Sequence, residues 1–302
     1  MSSDALGKFE GKRLVIFGAG YVGTALAASA LEAGAHVVAL TRNHETAHAL
    51  AAIGASTIQA EVDSHEWHDR IEKMDMVVNC VSSAGGGIAG YEKSYVNGAS
   101  SILAWLEKTG GTESLVYTSS TSVYPQVSGV VDETSSTAEA TGSAKLLLEA
   151  EALLLGSVAC GKAVRATILR LAGIYGPGRH HLLDHLRAEP ARAFAGKGNH
   201  LLNLIFRDDI VSAIEAALLR HQGLAAETYN VTDGHPVLKE DLARWLAAQI
   251  GRPFPGFSGE SSGGRRADSL NRAISNEKLK RELDWAPRFP DFQVGYRAIL
   301  GA

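Results

Sequence analysis

The stretch LVIFGAGYVGTALAASAL, residues 14–31, decides how the whole chain is read. It carries no charge and follows Lys12 and Arg13, so hydropathy alone would pass it as a membrane span or a leader segment. Three glycines interrupt it, and a strand, a tight turn and a helix explain them better. LVIF is the apolar strand, GAGYVG the turn, and the apolar residues of TALAASALEA recur at helical spacing. A cytoplasmic protein is the expectation.

A Gly-x-Gly-x-x-Gly run is weak evidence alone and strong evidence between a strand and a helix. Gly18 permits the tight turn, Gly20 lets the backbone approach a pyrophosphate, and Gly23 allows close packing of helix on strand. The helix start at Tyr21 and Val22 supplies amide donors to the phosphates. A dinucleotide is the ligand class this predicts. The end of the second strand, LTRN, bears on which one, because a carboxylate there binds a ribose 2′-hydroxyl whereas arginine suits a 2′-phosphate. Thr41 stands in the usual acidic place, Arg42 follows, and no carboxylate comes before Glu45. NADP(H) is favoured, with NAD(H) as the alternative.

Working outward, short β-branched runs alternate with longer helical patterns: KRLVIF, AHVVAL, STIQA, DMVVNCV, SLVYTSS, VRATILRLAG, LLNLIF and ETYNV. Such alternation predicts an α/β fold, a Rossmann-type doubly wound parallel sheet covered by helices on both faces. After about residue 176 the pattern loosens into Gly- and Pro-bearing loops and a terminal helical pair around SNEKLKREL. Residues 10–175 with 203–232 are the expected dinucleotide domain, and 176–202 with 233–302 a smaller C-terminal α/β substrate lobe. LLNLIF and ETYNV still read as strands of the sheet.

The 302 residues are 45% hydrophobic, ample for a buried core, and the formal net charge is −4. Acidic and basic residues interleave, so nothing marks the chain for nucleic acid or an anionic membrane, and a small molecule is the expected partner. Cys80 and Cys160 both lie in apolar segments without metal or redox spacing and read as reduced core residues.

At YTSSTSVYP, residues 117–125, the pattern resembles the extended short-chain dehydrogenase/reductase superfamily, specifically its NAD-dependent epimerase/dehydratase group. YVNGAS (95–100), LRLAGIYGPGR (169–179) and the closing SNEKLKRELDWAP are similar to that group's motifs in the same order, over nearly the whole chain. The resemblance implies that Ser120, or Thr121 with the turn shifted by one, bonds the reacting substrate oxygen. It implies adenine contacts from Glu61 and Val62, although Asp is usual where Glu61 stands. Cys80, Val81 and Ser82 would lie beside the ribose, and Tyr175, Gly176 and Pro177 would bracket the nicotinamide. Asn97 matches the group's helix asparagine, with Ala99 or Ser100 where threonine is usual. Relatives often dimerise through helices corresponding to 91–108 and 141–157, so a homodimer is an open expectation.

One departure stands out. The family carries Tyr-x-x-x-Lys, the lysine holding the nicotinamide ribose and lowering the tyrosine pKa; here the register reads Thr141-Gly-Ser-Ala-Lys145. A threonine hydroxyl is far too weak an acid to replace a phenol of pKa about 10. Tyr124 and Tyr175 are the expected neighbours of the nicotinamide and candidate substitutes. Lys145 reads either as the retained ribose lysine or as a surface lysine paired with Glu149 one turn on. This combination resembles an atypical, YeeZ-like branch. Two functions follow as expectations: an oxidoreductase or epimerase/dehydratase homologue acting on a polar, sugar-like or anionic molecule, or a non-catalytic NADP(H) sensor.

His180 and His181, beyond the nicotinamide loop, are candidate substrate contacts, as are Arg207 and the pair Arg265 and Arg266. His181 and His185 share the spacing of a helical metal pair but bring no third ligand, so no metal is expected. Asp208 or Asp209 reads as the cap of a following helix.

Overall fold

The computed structural model describes residues 7–83, 85–190, 192–220, 222–259 and 271–301. In chain order the first elements are β1 (Arg13–Phe17), α1 (Tyr21–Glu32), β2 (His36–Thr41), α2 (His44–Ala52), β3 (Ser56–Gln59), β4 (Met76–Asn79) and α3 (Gly87–Tyr91). A π-helix, Glu92–Asn97, leads into α4 (Gly98–Thr109). Then come β5 (Thr112–Ser120), β6 (Gly129–Val131), α5 (Ser143–Gly156), β7 (Ala163–Leu171), β8 (Gly173–Tyr175), α6 (His181–Arg187), β9 (Leu201–Leu202) and β10 (Leu204–Phe206). The chain closes with α7 (Arg207–Leu219), β11 (Ala226–Val231), β12 (Val237–Leu238), α8 (Lys239–Gln249), β13 (Arg272–Ile274), α9 (Glu277–Leu283) and α10 (Phe292–Leu300).

Seven strands form the central sheet in the order β11-β7-β5-β4-β1-β2-β3. The pairs β1–β2, β2–β3, β1–β4 and β4–β5 are parallel. The reversal of order beside β1 is the switch point at which doubly wound sheets bind ligands. Continuous apolar runs explain the middle of the sheet: every residue of β4 is buried, as are Leu14 to Phe17 of β1, because helices cover both faces. The edge strand β3 buries only Ile58.

The chain divides into two compact units. The first comprises Met1–Val123, Ala138–Arg170 and Ile210–Tyr229. Its core centres on Phe17, whose ring lies 4.8 Å from that of Trp67 and 5.7 Å from that of Trp105. Both indoles satisfy their N–H groups on backbone carbonyls, Trp67 on Val62 and Trp105 on Ile71. The second unit comprises Tyr124–Thr137, Leu171–Asp209 and Asn230–Ala302. Tyr175, Leu183, Phe194, Phe206, Leu246, Phe289 and Tyr296 are among its buried core residues.

The structure corrects three expectations. LLNLIF is not a strand of the central sheet: β9 pairs with β12 and β10 with β8, in two separate two-stranded sheets. Asn203 splits the run, its amide donating to the Arg272 carbonyl at 2.8 Å and accepting the Ile274 N–H at 2.8 Å. Asp209 is not the cap of α7: the helix begins at Arg207, so Asp208 and Asp209 both lie within its first turn. Asp209 is buried and accepts the backbone amides of Arg288 and Phe289 at 2.7 and 3.0 Å, fastening the loop before α10. Cys160 is exposed rather than in the core, because the chain leaves α5 through a turn.

In the first unit, Glu151 of α5 is buried against the sheet. Arg170 of β7 donates to it through Nε and Nη2, the latter at 2.7 Å, and Ser119 of β5 donates its hydroxyl at 2.5 Å. Removing one partner of a buried, hydrogen-bonded ion pair typically costs about 3–5 kcal/mol, because the other charge stays behind. Glu151→Ala is therefore expected to lower the unfolding free energy obtained from urea titration by an amount in that range. Lys12→Ala, which breaks the half-exposed pair with Glu113, should change stability by less than about 1 kcal/mol.

Candidate functional site

The glycine turn after β1 has the geometry each glycine needs. Gly18 lies at φ +79°, and a Cβ there would stand 2.6 Å from the Val81 backbone. Gly23 on α1 faces the turn so closely that a Cβ would come within 2.8 Å of the Gly18 carbonyl oxygen. Gly20 is the opposite: a Cβ would meet nothing nearer than 4.0 Å, so its backbone borders open space. The turn is pinned by the Leu40 carbonyl, which accepts the amides of Gly18 and Ala19 at 3.0 and 3.1 Å. Helix α1 starts immediately, at Tyr21, and its first amides lack intrahelical acceptors. Two tight positions and one open one suit a dinucleotide pyrophosphate, with Tyr21 and Val22 in the first helical turn.

Around this turn the parallel register gathers the ends of β2, β3 and β4. Thr41 is buried and its hydroxyl accepts the Asn43 amide at 3.3 Å, while Asn43 caps α2 through Thr46. Arg42 and Glu61 are half exposed and paired at 3.5 Å, and Lys93 reaches the same carboxylate oxygen at 3.7 Å. Val62 is buried against Gly98, where a Cβ would lie 2.8 Å from its methyl group. Cys80 continues from β4, its amide bonded to the Phe17 carbonyl. Burial pushes its thiol up to about 12, so it stays a neutral thiol near pH 7. Val81 donates its amide to the Asn79 side chain, Ser82 is exposed, and the Ser83 amide bonds the Tyr95 hydroxyl.

The π-helix places Asn97, exposed, at its junction with α4. Ser100 turns its hydroxyl back to the Val96 carbonyl at 2.9 Å, and Ala99 beside it is buried. Ser120 ends β5, half-buried, its oxygen accepting the Ser122 amide at 3.1 Å, and Thr121 beside it is buried. Thr141 is exposed and lies ahead of α5, separated from it by Gly142 at φ +55°. Lys145 is exposed in the first turn of α5, and among the described residues no ion pair joins it to Glu149. The four-residue spacing thus survives, but the threonine sits in the entering turn rather than on the helix.

Both candidate replacement tyrosines belong to the second unit. Tyr124 is buried and donates to the Asn230 side chain at 2.9 Å. Tyr175 is also buried, stacked 5.0 Å from Tyr296 and edge-on to Phe206, with its hydroxyl on the Asp291 carbonyl. Burial raises its pKa well above the ordinary phenol value. Both phenols are thus engaged in hydrogen bonds within the second unit. Gly176 is buried and Pro177 exposed at the turn after β8. His180 lies 2.8 Å from Asp184, His181 is exposed, and His185 instead stacks on Phe194 and bonds the Arg192 carbonyl. Arg207 pairs with Asp208 at 2.8 Å. Arg265 and Arg266 lie outside the described residues.

Two features carried no signal in the sequence. Lys93 looks like any helix lysine until folding brings it to Glu61. Asp233 follows a strand and reads as a turn residue, yet it is buried, with Oδ1 on the His235 amide and Oδ2 without a partner. Burial pushes its carboxyl up to about 7 from the ordinary 3.8. The folded chain therefore holds a proton there that the unfolded chain has lost. That contribution to stability is complete below about pH 3.8 and lost as pH rises through about 7. Asp233→Asn is expected to flatten the decline in urea midpoint between pH 4 and pH 8 (about one carboxyl's titration); an unchanged slope would refute the assignment.

Comparison with known proteins places this geometry. Residues 14–232 match the sequence pattern described as the NAD dependent epimerase/dehydratase family. The protein YeeZ of Escherichia coli is 31% identical over 182 residues, which are 59% of this chain and 59% of that protein. The chain thus spans less than two thirds of the length of this relative. The 2-alkyl-3-oxoalkanoate reductase of Stenotrophomonas maltophilia is 27% identical over 261 residues, 80% of this chain and 76% of the reductase. Among solved structures, MoeE5 in complex with UDP-glucose and NAD superposes with a TM-score of 0.82 at 21% identity, covering 96% of this chain and 97% of that one. At that identity the superposition speaks for the fold.

Proposed function

Because the chain belongs to the NAD dependent epimerase/dehydratase family, we propose that it binds NADP(H) in preference to NAD(H) and is an oxidoreductase or epimerase/dehydratase homologue for a polar, sugar-like or anionic small molecule. The observation that carries this reading is the glycine turn, closed at Gly18 and Gly23 and open at Gly20. The preference for the 2′-phosphate form rests on Arg42 at the end of β2, where no carboxylate stands. The substrate class draws on relatives and neighbours: a reductase named for 2-alkyl-3-oxoalkanoates and a structure holding UDP-glucose are both consistent with a polar or anionic ligand.

Bound at this turn, the dinucleotide would supply or accept hydride through its nicotinamide. The chain's own part follows from its residues. Ser120, half-buried at the end of β5, would orient the substrate oxygen, with Thr121 supporting the turn. Lys145, exposed on the first turn of α5, would bond the ribose hydroxyls. Thr141 is no general acid, and loss of a positioned acid typically costs ~10²–10⁴ in rate. A proton would then reach the substrate from solvent held at Ser120.

Calorimetric titration with NADPH, NADP⁺, NADH and NAD⁺ tests the cofactor assignment. Micromolar binding of the phosphorylated forms, weakened about tenfold in Arg42→Ala, is expected, since a charge-assisted phosphate contact contributes about 1.4 kcal/mol or more. Failure of all four to bind would reject it.

A second reading, a nucleotide-binding sensor that has given up catalysis, is favoured by the position of Thr141 ahead of the helix and by the internal engagement of Tyr124 and Tyr175. Thr141→Tyr separates the two. If the parent does not oxidise NADPH with an aliphatic 3-oxo acid as probe and the variant does, the parent is a binder. If the parent turns over and Lys145→Ala abolishes it, the chain is an enzyme.

A further inference from the structure

The loop after β4 carries the chain back over the start of α5. Gly85, Gly86 and Gly87 all take positive φ, and a Cβ at Gly90 would run into the Gly85 carbonyl oxygen, so α3 leaves the strand end through a turn that glycine permits. This short helix lies against the turn that enters α5, where a Cβ at Gly142 would stand 3.6 Å from Ile88 Cδ1. Tyr91 follows Ile88 by three residues and shares that face of α3. Its ring packs edge-on against Tyr95 at 5.2 Å. Tyr95 is itself buried and its oxygen accepts the Ser83 amide at 3.3 Å, which fixes the ring that supports Tyr91. The entrance to α5, where Thr141 stands, is thus faced by a phenol from another element. We infer that Tyr91 supplies the phenol that position 141 lacks, as the donor of the proton that reaches the substrate oxygen through solvent held at Ser120.

Chemistry and exposure select Tyr91 from its neighbours. A phenol is a far stronger acid than a threonine hydroxyl. Tyr91 is half-buried, so its ring is held while the residue still reaches solvent, and its hydroxyl has no hydrogen-bond partner among the described residues. Tyr95 is the poorer donor, because it is buried, burial raises its pKa, and its oxygen is engaged by Ser83. Tyr117 of β5 is enclosed completely, and burial raises its pKa as well. Lys145, exposed on the first turn of α5, forms no ion pair among the described residues, and a cation beside the helix entrance favours the phenolate left after transfer. In the reducing direction the substrate carbonyl carbon accepts hydride from the reduced dinucleotide, and its oxygen takes a proton from the water at Ser120. That water takes the Tyr91 proton, and bulk solvent reprotonates the phenolate. The carbonyl becomes a hydroxyl as the dinucleotide is oxidised.

This inference rests on the oxidoreductase reading, and its test separates the two. The full chain, Tyr91→Phe and Tyr95→Phe are compared by calorimetric titration with NADPH and by oxidation of NADPH with an aliphatic 3-oxo acid. Nitration of the parent by tetranitromethane, mapped by peptide mass, adds a readout that needs no turnover. Tyr91→Phe is expected to bind NADPH within about twofold of the parent and to oxidise it ~10²–10⁴-fold more slowly. Its rate should also lose the parent's pH dependence, which a mere packing role would leave in place. Tyr95→Phe keeps the supporting ring and should stay within about tenfold of the parent rate. Nitration of Tyr91 should slow when NADP⁺ saturates the chain, because the nicotinamide end would cover the entrance to α5. Turnover of Tyr91→Phe at the parent rate, an equal loss in Tyr95→Phe, or nitration of Tyr91 indifferent to NADP⁺ would overturn the assignment while leaving the dinucleotide turn intact. A parent that binds NADPH without oxidising it would overturn it too, and would favour the sensor. Failure of the folded chain to bind NADPH would remove the donor together with the reading beneath it.

Discussion

The close approach of the turn after β1 to the loop after β4 is the constraint on which the first unit of this protein depends. Gly18 stands where a side chain would run into the Val81 backbone, and Gly23 where one would strike the Gly18 carbonyl. With both positions bare, α1 can start directly from the strand and lie flat on the sheet. The same compression aims the unobstructed backbone at Gly20 outward. Backbone groups, unlike side chains, cannot be repositioned by a rotamer change, so the surface proposed to face a phosphate is set by the fold itself.

Charge is handled differently inside and at the rim. Within the first unit, Glu151 receives Arg170 and Ser119 in a buried cluster that ties α5 to β5 and β7. Those strands and that helix carry Ser120 and Lys145, so the buried pair sets the distance between residues to which catalytic and ribose-binding roles are proposed. At the rim, Arg42, Lys93 and Glu61 are half exposed and held by longer contacts. Buried charges must be paired closely to exist at all, whereas exposed ones can change partners at small cost. Rigidity under the site and exchangeability at its edge are therefore consequences of burial.

The phenols show why a residue type alone does not make a functional group. Tyr124 and Tyr175 stand in stretches that suggested a place beside the nicotinamide, yet their hydroxyls bond Asn230 and the Asp291 carbonyl inside the second unit. Tyr175 is stacked on Tyr296 and edged by Phe206. Thr141 keeps its spacing from Lys145 but falls outside the helix, with Gly142 at φ +55° between them.

What the sequence determined by itself was everything governed by neighbours along the chain. The strand-turn-helix around GAGYVG, the alternation that makes a parallel sheet, and the absence of tyrosine at position 141 are all local patterns, and period and turn chemistry report them directly. Tertiary structure alone decided the rest. It split LLNLIF at Asn203, buried Asp233 without a partner for one oxygen, exposed Cys160 and carried Lys93 to Glu61. Each of these depends on which distant segment arrives beside the residue, and burial, pairing and pKa are set by that neighbour rather than by the residue's place in the chain.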